Sequence, residues 1–117
     1  MTAMRDAYDK IGADYDDALQ RLMSDEMVAR FAAKFLDDDS MPNLDAAMAA
    51  GDAKAAFIAA HTLKGVCQNL SLDNLYKPAV DVTEALRDAA DIAAAVPLMP
   101  TLRRAYAETT AAIREAQ

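Results

Sequence analysis

Apolar residues recur every three or four positions along most of this chain, which is the spacing of one face of an α-helix. No segment shows the convincing apolar-polar alternation of a half-buried strand. Only three glycines and four prolines interrupt the 117 residues. Apolar residues make up 54% of the chain but aromatic residues only 6%, and the difference is mostly alanine, the strongest helix former. The sequence therefore predicts an all-α fold.

Capping residues and helix breakers divide the chain into segments. Thr2 is predicted to cap a short helix that ends at Gly12, and Asp14 to open a second short helix. Longer helices are expected from Ser24, from about 43 to 50, from Asp52 to about 70, from Asp73 onward with Pro78 inside, and after Pro97 and Pro100. Four substantial amphipathic helices with short connections predict an antiparallel four-helix bundle, with short additional N-terminal helices.

Length and charge limit the classes of protein to which the chain can belong. Its length fits one domain of residues 1–117, with the bundle core at about residues 24–116. A net charge of -7 argues against nucleic acid as a partner, because phosphate backbones require clustered Lys and Arg. No stretch approaches the roughly eighteen consecutive apolar residues of a membrane span, and the N-terminal segment lacks the apolar region of a secretory signal. We expect a cytoplasmic monomer that does not bind membranes.

The predicted helix from Asp52 to about Leu70 carries the chain's only histidine. Its alanines and several larger apolar residues gather on one side at about 100° per residue, and His61 lies about 200° from Leu63, nearly opposite that side. His61 is therefore predicted to be exposed, not buried in the core. The alternative to a chemical role is an inert histidine on the surface.

The residues three, four and seven positions after His61 lie beside it on the helix, and they are Lys64, Gly65 and Gln68. Near neutral pH an imidazole offers an uncharged nitrogen that can attack phosphorus. Lys64 supplies positive charge where a phosphoryl group would rest, and Gly65 leaves room for a partner's active site. Gln68 is interpreted either as a hydrogen-bonding residue for the ring or a phosphoryl oxygen, or as a solvated side chain.

Three apolar residues, Phe57, Ile58 and Leu72, fall within about 60° of His61 if the same helix is continued through them. They are interpreted as a docking patch for a partner. For Ile58 an equal alternative is that the N-terminal helices cover it.

The sequence His61-Thr62-Leu63-Lys64-Gly65, with Asn69-Leu70 further along, closely resembles the signature of the histidine phosphotransfer (HPt) domains of two-component phosphorelays. The resemblance covers most of the chain, from about Ser24 onward. Ser71 departs from it, because many relatives have glycine after Asn-Leu. That departure bears on the end of the helix and not on the chemistry.

The resemblance implies that His61 accepts a phosphoryl group from the aspartate of a response-regulator receiver domain and passes it to another receiver. It also implies a hybrid histidine kinase among the partners. Mg²⁺ and the catalytic acids would belong to the receiver, and no cofactor is expected in this chain. Because no nucleotide-binding signature is found, we expect a phosphotransfer intermediate without kinase activity of its own.

The main alternative is a helical adaptor that has lost phosphotransfer and binds a signalling partner through the same face. Intact His61, Lys64 and Gly65 argue against it. A di-metal bundle would need histidines on facing helices, and a serine hydrolase would need a second histidine near its nucleophile. Acid-labile phosphate on His61 after mixing with a phosphorylated receiver would separate a carrier from an adaptor.

Overall fold

The computed structural model describes residues 2–117, and in that range it contains helices and no β-strand. The α-helices are α1 (Ala3–Ile11), α2 (Tyr15–Leu22), α3 (Asp25–Phe35), α4 (Ser40–Ala49), α5 (Ala53–Asn69), α6 (Asp73–Leu86) and α7 (Met99–Glu115). A short 3₁₀ helix, Val96–Leu98, leads into α7. The predicted all-α bundle with short helices at its N-terminus is confirmed.

The two N-terminal helices begin where their capping residues predict, and α1 ends at Gly12 as predicted. The Thr2 side chain accepts a hydrogen bond from the Arg5 backbone N–H, and Gly12 ends α1 with a φ of 79°. The Asp14 side chain accepts one from the Asp17 N–H at the start of α2. Helix α1 packs against α7, and α2 packs against α3. Both helices therefore lie beside the bundle and add to its core.

Helix α4 begins at Ser40, three residues before the predicted start at about residue 43. The predicted start was wrong, since the helix already includes Pro42. Pro42 is in the first turn, where a backbone N–H has no partner within the helix, so the missing donor costs little. The Ser40 N–H instead donates to the Asp38 side chain at 3.0 Å.

Helix α5 forms the centre of the bundle, with α4 on one side and α6 on the other. Its inner face consists of small and apolar side chains that are fully buried: Ala56, Ala60, Leu63 and Cys67. Asp52 caps its start by accepting a hydrogen bond from the Ala55 N–H. The other face of α5 is exposed at His61 and Gln68.

Helix α5 ends in a tight turn at Ser71, whose φ is 55°. This left-handed conformation disfavours residues other than glycine by about 1 kcal/mol or more. Two hydrogen bonds offset that cost: the Ser71 hydroxyl donates to the Asp17 carboxylate at 2.6 Å, and the Ser71 carbonyl accepts from the Asp14 N–H at 3.0 Å. Serine therefore occupies a position that suits glycine, and it fastens α2 to the end of α5.

The Tyr8 hydroxyl makes a further connection in the same region, because it donates to the Leu70 carbonyl at 2.8 Å and is buried. Burial raises the pKa of Tyr8 well above its usual value, so the hydroxyl stays protonated and keeps donating. Between residues 2 and 117, the helices are all too short or too polar to cross a membrane.

Candidate functional site

His61 lies near the middle of α5 and is exposed. It is on the side of the helix opposite Leu63, which is fully buried. A helix interior holds its backbone rigidly, so the imidazole is presented from a fixed position and not from a mobile loop. This is the placement that the helical spacing predicts.

The three neighbours of His61 on α5 differ in their exposure. Lys64 and Gly65 are partly buried, and Gln68 is exposed. A Cβ atom added to Gly65 would have no other atom within 4 Å, apart from its own helix. Gly65 therefore leaves open space one turn from the imidazole, and no neighbouring helix packs against it.

Phe57 is one turn before His61, and the two rings lie beside each other. Their centroids are 5.8 Å apart, with an angle of 35° between the ring planes. Phe57 is partly buried against the core. It therefore forms a wall beside the imidazole on the side that faces α6.

Arg87, at the end of α6, lies next to the Phe57 ring, and Glu84 of α6 is hydrogen-bonded to Arg87. Sequence reasoning missed both residues. The guanidinium carbon of Arg87 is 5.2 Å from the centroid of the Phe57 ring. Arg87 Nε donates to Glu84 at 2.7 Å. This hydrogen bond, with a smaller contribution from the charge of Lys64, lowers the pKa of the Glu84 carboxyl. The antiparallel pairing of α5 with α6 brings Arg87 to the Phe57 ring, which neighbours His61, and the short connection between the two helices was the available signal.

The docking patch predicted from Phe57, Ile58 and Leu72 is only partly correct in its geometry. Leu72 is fully buried and lies at the start of α6. Its inclusion was wrong because α5 ends at Asn69, so the helical spacing does not extend to Leu72. Ile58 is 58% exposed, and the N-terminal helices do not cover it.

Two grooves border α5, one along its second half and one along its first half. The first has a volume of about 550 Å³ and lies between α2, α3 and the second half of α5. Its wall is largely apolar, with two exposed cations, and includes Phe31, Phe35, Val66, Leu70, Arg21 and Lys34. The second, about 620 Å³, is lined by Phe57, Ile58 and Arg87, among others. The exposed face of α5 thus has apolar surface on both sides of a polar centre.

Cys67 is a second nucleophilic group on α5, but it is not accessible. It is fully buried, and burial raises the pKa of the thiol to about 12. No group of three or more His, Cys, Asp or Glu side chains suited to a metal ion occurs within residues 2–117. The accessible imidazole is the group on this helix that is placed for nucleophilic chemistry.

Comparison with known families gives one match. A family model described as "Hpt domain" matches residues 26–112, which is most of the chain. No curated protein and no solved structure matches this chain. The matched range contains all of α4, α5 and α6, together with His61 and its neighbours.

Proposed function

The chain belongs to the Hpt domain family, and on that basis we propose that His61 is its phosphoryl acceptor. We propose that His61 receives the phosphoryl group from one receiver domain and passes it to another. Hpt domains serve in histidine phosphotransfer within phosphorelays, where they meet receiver domains and act as phosphocarriers and not as kinases. The observation that carries the proposal is the exposed imidazole of His61 in mid-helix, beside the open space at Gly65.

The transfer step requires a neutral imidazole nitrogen. That nitrogen attacks the phosphorus of the receiver's aspartyl phosphate, an N–P bond forms, and the P–O bond to the aspartate carboxylate breaks. The electron pair of the broken bond leaves with the carboxylate. A second receiver reverses these steps and takes the phosphoryl group onto its own aspartate. The attacking nitrogen and the leaving oxygen must be nearly in line with the phosphorus.

Lys64 and Gly65 support this step in different ways. The Lys64 ammonium is one turn from the imidazole and offsets negative charge on the phosphoryl group. Gly65 lets the receiver's active site approach the ring, since nothing fills the space where its side chain would be. Gln68, exposed one further turn along, is placed to donate a hydrogen bond to a phosphoryl oxygen.

The docking surface in this proposal surrounds the imidazole with apolar side chains. Ile58 is exposed one turn before His61 on α5, and the Phe57 ring lies beside the imidazole. The groove between α2, α3 and α5 extends the apolar surface toward the end of the helix. A receiver that buries this surface excludes water from the reacting groups and so protects the phosphoryl group from hydrolysis.

The remaining parts of the proposal concern partners and setting. We infer a cytoplasmic monomer that exchanges phosphoryl groups with receiver domains, with a hybrid histidine kinase upstream. Mg²⁺ and the catalytic acids are supplied by the receiver, and the chain contributes no cofactor and no kinase activity. Its net charge of -7 disfavours nucleic acid as a partner.

The test is transfer from a phosphorylated receiver labelled in its phosphoryl group. Label should appear on the wild-type chain in an acid-labile, base-stable form, as expected of phosphohistidine. His61→Gln should take up no label while its far-ultraviolet circular dichroism is unchanged. Stable binding of receivers without any label on the wild-type chain would support the adaptor and overturn the carrier. Undiminished labelling of the variant would assign the phosphoryl group to another residue.

A further inference from the structure

Arg87, at the end of α6, shares an aromatic neighbour with the imidazole and does not belong to the helix that carries His61. The guanidinium carbon of Arg87 is 5.2 Å from the centroid of the Phe57 ring, and the His61 ring centroid is 5.8 Å from the same centroid. One phenyl ring therefore contacts both groups. The cation is stacked on the ring, which favours Arg over Lys at this position because a planar guanidinium stacks on aromatic faces.

Glu84 is joined to Arg87 by one short, solvent-exposed ion pair. Arg87 Nε donates to Glu84 Oε2 at 2.7 Å, and the two side chains are 48% and 54% exposed. An ion pair with this degree of exposure contributes little to stability, so a stronger anion can displace it at low cost. Asp88 follows Arg87 in the chain and adds to the negative charge around the guanidinium.

The charge of Glu84 also interacts with that of Lys64, the cation on α5. The charge of Lys64 contributes to the lowered pKa of the Glu84 carboxyl, after the larger effect of the Arg87 hydrogen bond. Glu84 is thus the hydrogen-bonded counter-ion of Arg87 in the unphosphorylated protein, and the charge of Lys64 also acts on this carboxylate.

A phosphoryl group on His61 would change the balance of charge. It carries about -1.5 to -2 charges near neutral pH and presents three acceptor oxygens, whereas a carboxylate carries a single charge. The fork of N–H groups on a guanidinium matches phosphoryl oxygens with two parallel hydrogen bonds. The hydrogen bond from Arg87 to Glu84 uses the Nε–H group. The terminal N–H groups of the guanidinium therefore remain available to donate to phosphoryl oxygens.

Resting on the phosphocarrier function above, we propose that Arg87 exchanges Glu84 for the phosphoryl group when His61 is phosphorylated. Arg87 is then a second phosphoryl-binding cation, and Glu84 is the counter-ion that it releases. The consequence is that Arg87 and Glu84 have opposite effects on the stability of phosphohistidine relative to the phosphorylated receiver.

The first experiment observes Arg87 directly. The ¹⁵N-labelled chain is phosphorylated with a small phosphoryl donor, phosphoramidate, and the arginine Nε–H signals are recorded before and after. The Arg87 signal should shift on phosphorylation in the wild type and stay in place in His61→Gln treated in the same way. Arg103 is the internal control, because its Nε donates to Asp45 at 3.0 Å on other helices, and its signal should not move. An Arg87 signal that stays in place in the phosphorylated wild type overturns the proposal.

The second experiment measures the equilibrium ratio of phosphorylated chain to phosphorylated receiver. Arg87→Ala should lower this ratio about fivefold, and Glu84→Gln should raise it about threefold, in line with the gain or loss of a charge-assisted hydrogen bond. Glu115→Gln is the matched control, since this carboxylate forms a comparable exposed ion pair with Lys10 between α1 and α7. It should leave the ratio unchanged.

The outcomes separate this proposal from the function on which it rests. A wild-type chain that takes phosphoryl from neither phosphoramidate nor a receiver overturns both. A labelled wild type whose ratio is unaffected by the two substitutions, or shifts in the same direction with both, overturns only the role of Arg87 and Glu84. An effect confined to the affinity for unphosphorylated receiver would make Arg87 a docking residue and would also overturn the exchange.

Discussion

Gly65 should trade stability for access, so that replacing it makes the protein more stable and less active. Its backbone does not have a positive φ, in contrast to Gly12 and Gly51. It lies inside α5, where glycine is less favourable than alanine by about 0.5–1 kcal/mol. An added Cβ meets no atom within 4 Å outside its own helix, so no clash offsets that gain. Neither conformation nor packing requires a glycine here.

The magnitude follows from these observations. Gly65→Ala should raise the free energy of unfolding by about 0.5–1 kcal/mol. For a chain of this size that corresponds to a rise in melting temperature of about 2–5 °C. Thermal unfolding followed by circular dichroism measures the shift, and urea unfolding gives the free energy itself.

Gly51 provides a matched control, because the same substitution there should have the opposite sign. Its φ is 68°, a left-handed conformation in which an alanine costs about 1 kcal/mol or more. It also has no atom near an added Cβ, so only the backbone conformation differs between the two sites. Gly51→Ala should therefore lower the melting temperature while Gly65→Ala raises it.

The functional half of the prediction uses a larger side chain. Gly65→Gln should fold with near wild-type stability but transfer phosphoryl at least about tenfold more slowly, because a misplaced reacting pair loses the benefit of alignment. Transfer time courses with a phosphorylated receiver measure the rate. Two results would refute the reasoning: a destabilised Gly65→Ala, which would show hidden packing, or a folded Gly65→Gln that transfers at the wild-type rate.

Other substitutions test the remaining parts of the site and fold. Lys64→Ala should slow transfer about tenfold, the effect of a lost charge contact of about 1.4 kcal/mol, with an unchanged melting curve; wild-type rates with several receivers would make Lys64 a solvated lysine. Leu72→Ala should destabilise the fold by about 2–5 kcal/mol because Leu72 is fully buried, whereas Ile58→Ala should weaken receiver binding and leave stability intact; denaturant unfolding and titration with a receiver distinguish the two. The hydrogen bond from Ser71 lowers the pKa of Asp17, so the stability that this carboxylate contributes is complete above its unfolded pKa of about 3.9 and is lost as pH falls through the lower folded value. Asp17→Asn should thus be less stable than wild type at pH 7 and nearly equal to it at about pH 2, and a difference that does not depend on pH would contradict this account.

Much of the fold was determined by local features of the sequence. Thr2, Asp14, Ser24 and Asp52 each accept the capping hydrogen bond expected from their position before an apolar repeat. The outward placement of His61 follows from the same kind of reasoning, since one helix relates residues through a fixed angle. These predictions succeed because caps and helical faces depend on residues within one or two turns.

The errors arose where a local rule was carried past its limit. The start of α4 was placed about three residues too late, although the helix tolerates Pro42 in its first turn. Leu72 was placed beside His61 because the angle per residue was continued beyond the end of α5. The turn at Ser71 ends that helix, and the Ser71 hydroxyl donates a hydrogen bond to Asp17 of α2, a contact that local sequence rules do not predict.

The sequence by itself determined an all-helical chain with an imidazole, an ammonium and an open glycine position on one helix face. Only the tertiary structure decided which residues of other helices border that face. Arg87 and Glu84 reach the site because α6 packs antiparallel to α5 at a particular rotation and register. Leu72 is buried and Ile58 exposed for the same reason. Rotation and register result from the packing of side chains distant in sequence, and no helical period within a single segment contains that information.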